Sequence, residues 1–344
     1  MKILENVALK ELTTFKVGGR ARYFCAVKNL GEVAVADAFA SKQKWPLFVL
    51  GGGSNILIAG AGFSGLVLKM DILGVEFVEK KGDQVEVIVG AGENWDDLAR
   101  LTVEKNLHGL ENLSLIPGSV GAAPVQNIGA YGAEVAEVIS FVEVFDRRIS
   151  KVKILNKKAC QFSYRDSVFK KPAGKNFIIT RVGFLLKKSK KKMPFKTDYP
   201  DVQQWLVREK ISEPTIVDIR RAIVEIRTKK LPNLAEVGTA GSFFKNPIIT
   251  NTQFKKLKNL FPDLPSVVMG ENKVKIFLAW ILDKICELKG FSVGKVGLHE
   301  NQPLVVVNFG GATAEEIKSF TKKIAAIVRE KTGLVIEREV EYVG

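Results

Sequence analysis

The sequence predicts a mixed α/β protein of more than one domain, and three observations predict it. Short apolar runs of strand length cluster in the first half of the chain. Longer amphipathic helical patterns dominate beyond the Lys-rich stretch near residue 190. At 344 residues, with 46% apolar and 26% charged residues, the chain is a globular one too long for a single hydrophobic core, so two or three domains are expected.

Taken in order, "LGEVAVADAFASKQ" reads as a helix, followed by Pro46 and the strand "LFVL" that ends on "GGGSN". "LVLK", "VEFVEK" and "VEVIVGAG" read as successive strands. "ENWDDLARLTVEKN" is a helix opened by acidic residues, which favour the positive end of the helix dipole. "FVEVFD", "KVKIL" and "FIITRVGFLL" form a further strand group. Past the Lys-rich linker, "PTIVDIRRAIVEIRTKK" is a helix stopped by Leu231-Pro232, and "VKIFLAWILDKICELKG" a second one stopped at Gly290. In the last helix Thr313 and Glu316 make a capping box, Ile317, Phe320, Ile324, Ile327 and Val328 form its apolar stripe, and Gly333 ends it. A final strand, "LVIEREVEYV", places Glu337, Glu339 and Glu341 on one face by the two-residue period.

Charge and cysteines narrow the class. The net charge of +15 invites a nucleic-acid partner, and "KKSKKK" (Lys187–Lys192) resembles a patch. That run has no interleaved aromatics and no surrounding nucleic-acid module, so it reads as a solvated loop and no nucleic-acid partner is expected. No apolar run approaches the roughly 18 residues of a spanning helix, and the N-terminus carries a Glu where a signal peptide needs an apolar core. Cys25, Cys160 and Cys286 lie far apart without metal or redox spacing, which points to reduced thiols, a cytoplasmic location and no metal site.

Glycine carries the chemistry. "GAGFSG" (Gly60–Gly65) satisfies G-x-G-x-x-G, but a dinucleotide fingerprint leads from a strand into a helix, and here "LVLK" follows. Two other glycine stretches remain: "LGGGSN" after a strand, and "LIPGSVGAAPVQNIGAYG" from Leu115 to Gly132, which has no Lys, Arg, Asp or Glu. On composition alone the second is either a turn-rich connector or a backbone nest for an anion. In the second half, "YRDS" sets an Arg in an aromatic context, and "GTAGSFFKNP" places Ser242 between small residues and two phenylalanines, where a turn serine is the plain alternative.

The ordered segments "LTTFKVGG", "LGGGSNIL", "VGAGENWDDL", "GLENLSLIPGSVGAAPVQNIGAYG", "YRDSVFK", "RTKKLPN", "GTAGSFFKNP", "AWILDK", "LKGFSVG" and "IEREVEYVG" together resemble the UDP-N-acetylenolpyruvoylglucosamine reductase family, type I. The resemblance runs from about Thr13 to the C-terminus. It implies an FAD-binding fold of the vanillyl-alcohol-oxidase/PCMH type in two subdomains, residues 1–70 and 71–230, the second holding the Lys-rich and Tyr199 loops. A C-terminal α+β substrate-binding domain, 231–344, would follow, its last strand returning to the active site. The glycine stretches would then wrap a non-covalent FAD through Gly51, Gly52, Gly53, Ser54, Asn55, Pro117, Gly118, Ser119, Gly121, Ala122, Asn127, Gly129, Ala130, Tyr131 and Gly132.

The resemblance also implies a reaction and a catalytic trio. NADPH reduces the flavin, and a UDP-sugar bearing an enolpyruvyl group is then reduced to UDP-N-acetylmuramate for peptidoglycan. Arg165 would hold the substrate carboxylate and the charge that develops on it, Glu339 would assist in protonated form, and Ser242 would give a proton to the neighbouring carbon. Burial near Glu337 or Glu341 would favour protonated Glu339. Tyr164, Tyr199, Lys230, Asn246 and Gln302 would contact substrate. The family's "TYGDL" is "TDYPDV" here, and Arg338 and Glu341 stand where the family has Pro and Arg, altering the charge beside Glu339. The alternative is an FAD-dependent oxidase of the same fold, which would often link flavin covalently through His or Cys; only His108 and His299 are present, and the family places neither on the flavin. A monomer without membrane insertion is expected.

Overall fold

The computed structural model describes residues 1–190 and 193–344. The chain divides into two compact units: Met1–Val7, Ala21–Gly52 and Ser64–Thr228 form the first, and Ala8–Arg20, Gly53–Phe63 and Lys229–Gly344 the second.

The first unit is built on two sheets. One has the strand order Leu4–Ala8, Arg20–Val27, Phe63–Met70, Leu47–Leu50. Its last pair is parallel, joined through the segment that includes the first glycine stretch. The other runs Lys151–Asn156, Ile139–Asp146, Phe177–Lys188, Gln84–Gly90, Val75–Glu79, all antiparallel, with Leu107–His108 beside the long central strand. Alternation explains the ladder: Val85, Val87 and Val89 bury on one face while their neighbours stay nearer solvent. Helix Leu30–Lys42 starts where the Asn29 side chain accepts from Glu32 N, and helix Trp95–Glu104 where Asn94 accepts from Asp96 and Asp97 N. Trp95 is fully buried and its indole N–H donates to Leu113 O at 2.8 Å. A smaller core of Val202, Trp205, Leu206, Ile219, Ala222, Ile223 and Ile226 joins helices Pro200–Arg208 and Ile216–Lys230.

The second unit holds an antiparallel sheet ordered Gly238–Ser242, Gln302–Asn308, Val296–His299, Ser292–Val293. Helix Ala314–Thr332 belongs to the same core, and Ile317, Phe320, Ile324 and Val328 bury as the stripe predicts. Its capping box is formed, and Gly333 takes the left-handed conformation (φ 71°) that terminates it. A three-stranded sheet (Ile248–Ile249, Val274–Ile276, Ser266–Val268) and the parallel pair Glu341–Val343 with Ile56–Ile58 complete it.

Three expectations are corrected. The helix expected over "VKIFLAWILDKICELKG" is two elements: Val274–Ile276 is a strand, because Val274 and Ile276 bury alternately between two neighbouring strands. Only Leu278–Trp280 and the π-turn Ile281–Ile285 are helical. The final strand keeps its ladder only over Glu341–Val343; the burial alternation of Leu334 to Glu337 breaks at Arg338, which makes a single bridge to Phe244. Lys187 and Lys188 belong to the central strand rather than a loop, and Lys188 and Lys190 pair with Glu79 and Asp83. The rest of that run, Lys191 and Lys192, lies outside the described residues.

"GAGFSG" leads into strand Phe63–Met70, as its rejection as a dinucleotide fingerprint requires. The three cysteines are free and buried. Among the described residues no helix is long and apolar enough to cross a membrane, and no group of His, Cys, Asp or Glu is placed to hold a metal.

Candidate active site

In the first unit the two glycine stretches meet. A Cβ on Gly52 would lie 2.6 Å from Gly118 Cα, and one on Gly51 2.5 Å from Ser119 Oγ. Bare backbone is a packing requirement at Gly52, which faces main chain, whereas at Gly51 the Ser119 hydroxyl alone would have to turn aside. Gly51 O accepts from Lys69 Nζ at 2.6 Å, and burial pulls that ammonium's pKa below its ordinary value.

The second stretch is fixed to the start of helix Trp95–Glu104. Trp95 N donates to Gly118 O at 3.1 Å, Val120 N to Glu93 O at 2.9 Å, and Gly121 N to Ala91 O at 2.9 Å. A Cβ on Gly121 would sit 2.6 Å from Ala91 Cβ. Pro117 and Ala122 stay exposed, while Ser119 is buried. Among the described residues, Ser119 Oγ has no hydrogen-bond partner in the protein. A buried hydroxyl of this kind is costly unless a ligand engages it. A buried hydroxyl amid glycine backbone suits a phosphate oxygen. The residues present therefore fit the pyrophosphate of FAD.

The third part of the stretch is a two-residue hairpin. Gly129–Ala130 pairs with Ala133–Glu134 across Tyr131 and Gly132, whose φ values of 48° and 81° are both positive, as the primed turn demands. Gly129 is closed to any side chain, since its Cβ would lie 2.8 Å from Ala133 O and 3.0 Å from Arg165 Nη1. Arg165, itself left-handed at φ 53°, donates from Nη2 to Gly129 O at 2.6 Å and lies over the Tyr164 ring at 5.4 Å. A residue with a Cβ in that region costs about 1–3 kcal/mol and is held there by its surroundings. Asn127 is also left-handed and fully buried. Its amide is engaged internally, donating to Glu134 Oε2 (2.8 Å) and Ser163 O (3.1 Å) and accepting from Ala136 N (3.0 Å). Asn127 thus shapes the loop before Arg165.

Tyr199 stands at the start of helix Pro200–Arg208, its ring 5.1 Å from that of Tyr131 in edge-to-face contact. Burial pushes the Tyr131 hydroxyl up to about 12 and raises that of Tyr199 as well. Sequence reasoning missed the frame around this pair. Arg220 binds Asp96 through two hydrogen bonds of 2.8 and 3.0 Å, Asp96 accepts from Leu115 N at 2.5 Å, and Arg227 Nε donates to Leu115 O at 3.2 Å. Asp96 and Arg227 both fall inside quoted motifs, which was the available signal; Arg220, the partner of Asp96, showed only as helix surface.

In the second unit Gly53 is left-handed (φ 64°), and its Cβ would lie 2.2 Å from Leu12 O. Ser54 and Asn55 follow, and Asn55 grips the chain at Glu339 and two residues beyond it. Its Nδ2 donates to Glu339 O at 3.3 Å and its carbonyl accepts from Glu341 N at 3.0 Å. Glu339 N donates to Phe243 O at 2.7 Å and Lys245 N to Glu337 O at 2.9 Å, so Glu339 stands opposite Phe243 on adjacent extended segments, with Ser242 one residue further along. Both are half-buried. Gly241 (φ 71°) interrupts the strand register before Ser242 with nothing within 4 Å of a Cβ, so backbone conformation alone selects glycine there. Phe243 packs edge-to-face on Phe15 and Phe244 and tilted against Tyr342, which anchors the two segments. Arg338 lies over the Tyr342 ring at 3.7 Å, which gives that unusual residue an aromatic partner, and Glu337 pairs with Lys245 at 3.2 Å.

The remaining expected substrate residues are also in this unit. Asn246 Oδ1 accepts from Leu278 N at 3.0 Å, and Gln302 Oε1 from Leu304 N at 3.4 Å. Lys230 ends helix Ile216–Lys230 and is half-buried.

Comparison with known proteins finds relatives along the whole chain. The family description "FAD binding domain" matches residues 21–149, and "UDP-N-acetylenolpyruvoylglucosamine reductase, C-terminal domain" matches 232–343. The UDP-N-acetylenolpyruvoylglucosamine reductases of Amoebophilus asiaticus and Pseudomonas aeruginosa are each 40% identical to the chain, over 100% and 98% of both sequences. The crystal structure of the enzyme of the same name from Thermus caldophilus superposes with a TM-score of 0.70 at 26% identity, covering all of both chains.

Proposed function

The chain belongs to the UDP-N-acetylenolpyruvoylglucosamine reductase family, and from that premise we propose that Arg165, Ser242 and Glu339 carry its chemistry. As a member it is an FAD-containing oxidoreductase that uses NADPH to reduce the enolpyruvyl group of UDP-N-acetylglucosamine enolpyruvate, giving UDP-N-acetylmuramate for peptidoglycan. Bound FAD supplies the hydride.

An enol ether is electron-rich, so its methylene carbon accepts hydride only when the neighbouring carboxylate can take up the charge. Arg165 binds that carboxylate, a contribution of roughly 3–4 kcal/mol for one well-placed donor. Ser242 Oγ–H gives its proton to the adjacent carbon and is reprotonated from solvent. A hydroxyl is a weak acid, but a carbanion-like carbon is a strong base, and a positioned transfer is worth on the order of 10²–10⁴-fold. Glu339, in protonated form, donates a hydrogen bond at the same centre. The observation that supports this reading is the pairing of the segment that holds Ser242 with the one that holds Glu339, through Glu339 N to Phe243 O and Asn55 Nδ2 to Glu339 O.

FAD is held non-covalently by Gly51 to Asn55, Pro117 to Ala122 and Gly129 to Gly132, with Asn127 acting through the backbone it shapes. Tyr164, Tyr199, Lys230, Asn246 and Gln302 contact the UDP-sugar. The matched C-terminal family description, 232–343, supports a substrate-binding domain over 231–344, with FAD-binding subdomains over 1–70 and 71–230. The enzyme works as a cytoplasmic monomer. In the test, Ser242→Ala retains flavin reduction by NADPH in stopped flow and loses turnover of the enolpyruvyl substrate by the factor above. Equal turnover by variant and wild type removes Ser242 from the proton step.

A further inference from the structure

The turn that presents Tyr131 and the segment that presents Tyr199 are distant in sequence, yet one buried side chain holds both. Asn112 lies on the 3-10 turn Glu111–Leu113 and is 3% exposed. Its Nδ2 donates to Tyr131 O at 3.1 Å and to Lys196 O at 2.9 Å. A side-chain amide has two N–H donors, so both are committed, one to each segment. The buried amide has no easy water substitute of its own, and the two carbonyls lie half-buried.

Other ties follow the same line. Lys196 Nζ donates to Gly132 O at 3.0 Å and pairs with Glu137. The Phe195 ring packs edge-on against His108 at 5.3 Å, and His108 Nδ1 lies 2.6 Å from the buried Glu111. The Tyr131 and Tyr199 rings touch at the far end. The strap 193–199 is therefore fastened at Phe195, Lys196 and Tyr199, and two of the three fastenings reach the hairpin at Gly129–Glu134 directly.

We propose that Asn112 is a positioning residue that sets the Tyr131 turn and the Tyr199 strap as one unit, holding the Tyr199 ring against Tyr131 so that Tyr199 meets the UDP-sugar. The inference rests on the assignment of Tyr199 to the substrate made above. Without the amide, each carbonyl loses its donor and the strap samples positions in which the rings no longer pair, so substrate affinity falls while the chemistry, once substrate is bound, is little changed.

The test uses the FAD-loaded enzyme. Asn112→Asp keeps the shape but sets carboxylate oxygens against two carbonyl oxygens. Lys196→Met leaves the Asn112 amide in place and removes only the Gly132 and Glu137 ties, so it serves if Asn112→Asp folds poorly. In Asn112→Asp, amide exchange over 193–199 accelerates roughly tenfold or more. KM for the enolpyruvyl sugar nucleotide rises about tenfold, kcat falls less than threefold, and the NADPH half-reaction stays within about twofold. Lys196→Met shifts exchange and KM in the same direction by about threefold. A residue that merely braces the fold would lower the melting temperature and leave local exchange and KM alone; that result overturns the proposal at Asn112. Faster exchange with an unmoved KM overturns it at the Tyr199 assignment instead.

Discussion

Gly52→Ala is the most direct probe of why the two glycine stretches are bare. The added methyl carbon would lie 2.6 Å from Gly118 Cα and 2.9 Å from its carbonyl carbon. Both are backbone atoms, so no side chain can swing aside. Reaching the 3.4 Å where ordinary contact begins means parting the loops by about 0.8 Å, the difference of the two distances. Gly118 is tied to Trp95 N, and Gly51 to Lys69, so neither side yields freely. Overpacking against rigid neighbours costs about 1–3 kcal/mol. If that cost falls on the cofactor-loaded state, it converts to roughly a 5- to 150-fold loss of affinity at about 1.4 kcal/mol per decade. The assay is titration of the stripped protein with FAD, followed by flavin fluorescence, with thermal melting in parallel. Gly60→Ala is the control: it lies in another glycine-rich turn, a Cβ there meets nothing within 4 Å, and its effect should stay within about ±0.5 kcal/mol. Wild-type FAD affinity and melting temperature in Gly52→Ala would refute the reasoning.

Two further outcomes concern the scaffold. Asp146 is buried, and hydrogen bonds first from Arg148 and then from Lys153 hold its carboxyl far below the ordinary range despite the opposing pull of burial. A depressed carboxyl contributes stability that is present above its unfolded pKa and is lost as pH falls toward the native one. Asp146→Asn should therefore be less stable at neutral pH and show a flatter decline of melting temperature below about pH 4 than wild type; parallel acid profiles would contradict this. Burial raises the Cys25 thiol to about 11 and the Cys160 thiol to about 12, with Cys286 raised as well. Native protein at pH 7.5 should resist iodoacetamide at all three and be alkylated at all three in denaturant, counted by intact mass; rapid native labelling would contradict their burial.

Local chemistry was legible wherever the signal was short-range. The capping box Thr313–Glu316, the stop at Gly333 and the helix at Leu30–Lys42 each depend on residues three or four apart. The failure at Val274–Ile276 has a physical cause: an apolar run of that length satisfies both periods, and two strands from elsewhere in the chain decide it. Helix Pro200–Arg208 was hidden because it follows a basic linker, and its buried Val202, Trp205 and Leu206 find their partners on a later helix. At the candidate site the glycine stretches stood out, since close backbone approach needs glycine whatever the partner. Asn112 did not, because a lone Asn before a Leu carries no periodic mark of two distant carbonyls. Asn127 stood out as a cofactor contact, and its side chain serves Glu134, Ser163 and Ala136 within the protein.

The parallel pairing of Ile56–Ile58 with Glu341–Val343 has a temporal side. Asn55 and Glu339 are 284 positions apart, and all three residues of the earlier strand are buried in the finished structure. During synthesis that apolar segment must wait for a mate translated some 284 residues later, a wait of some tens of seconds at 5–20 residues per second. Assembly of the Ser242–Glu339 neighbourhood is thus a late event, and the nascent polypeptide carries an unfilled slot that any passing extended peptide could occupy.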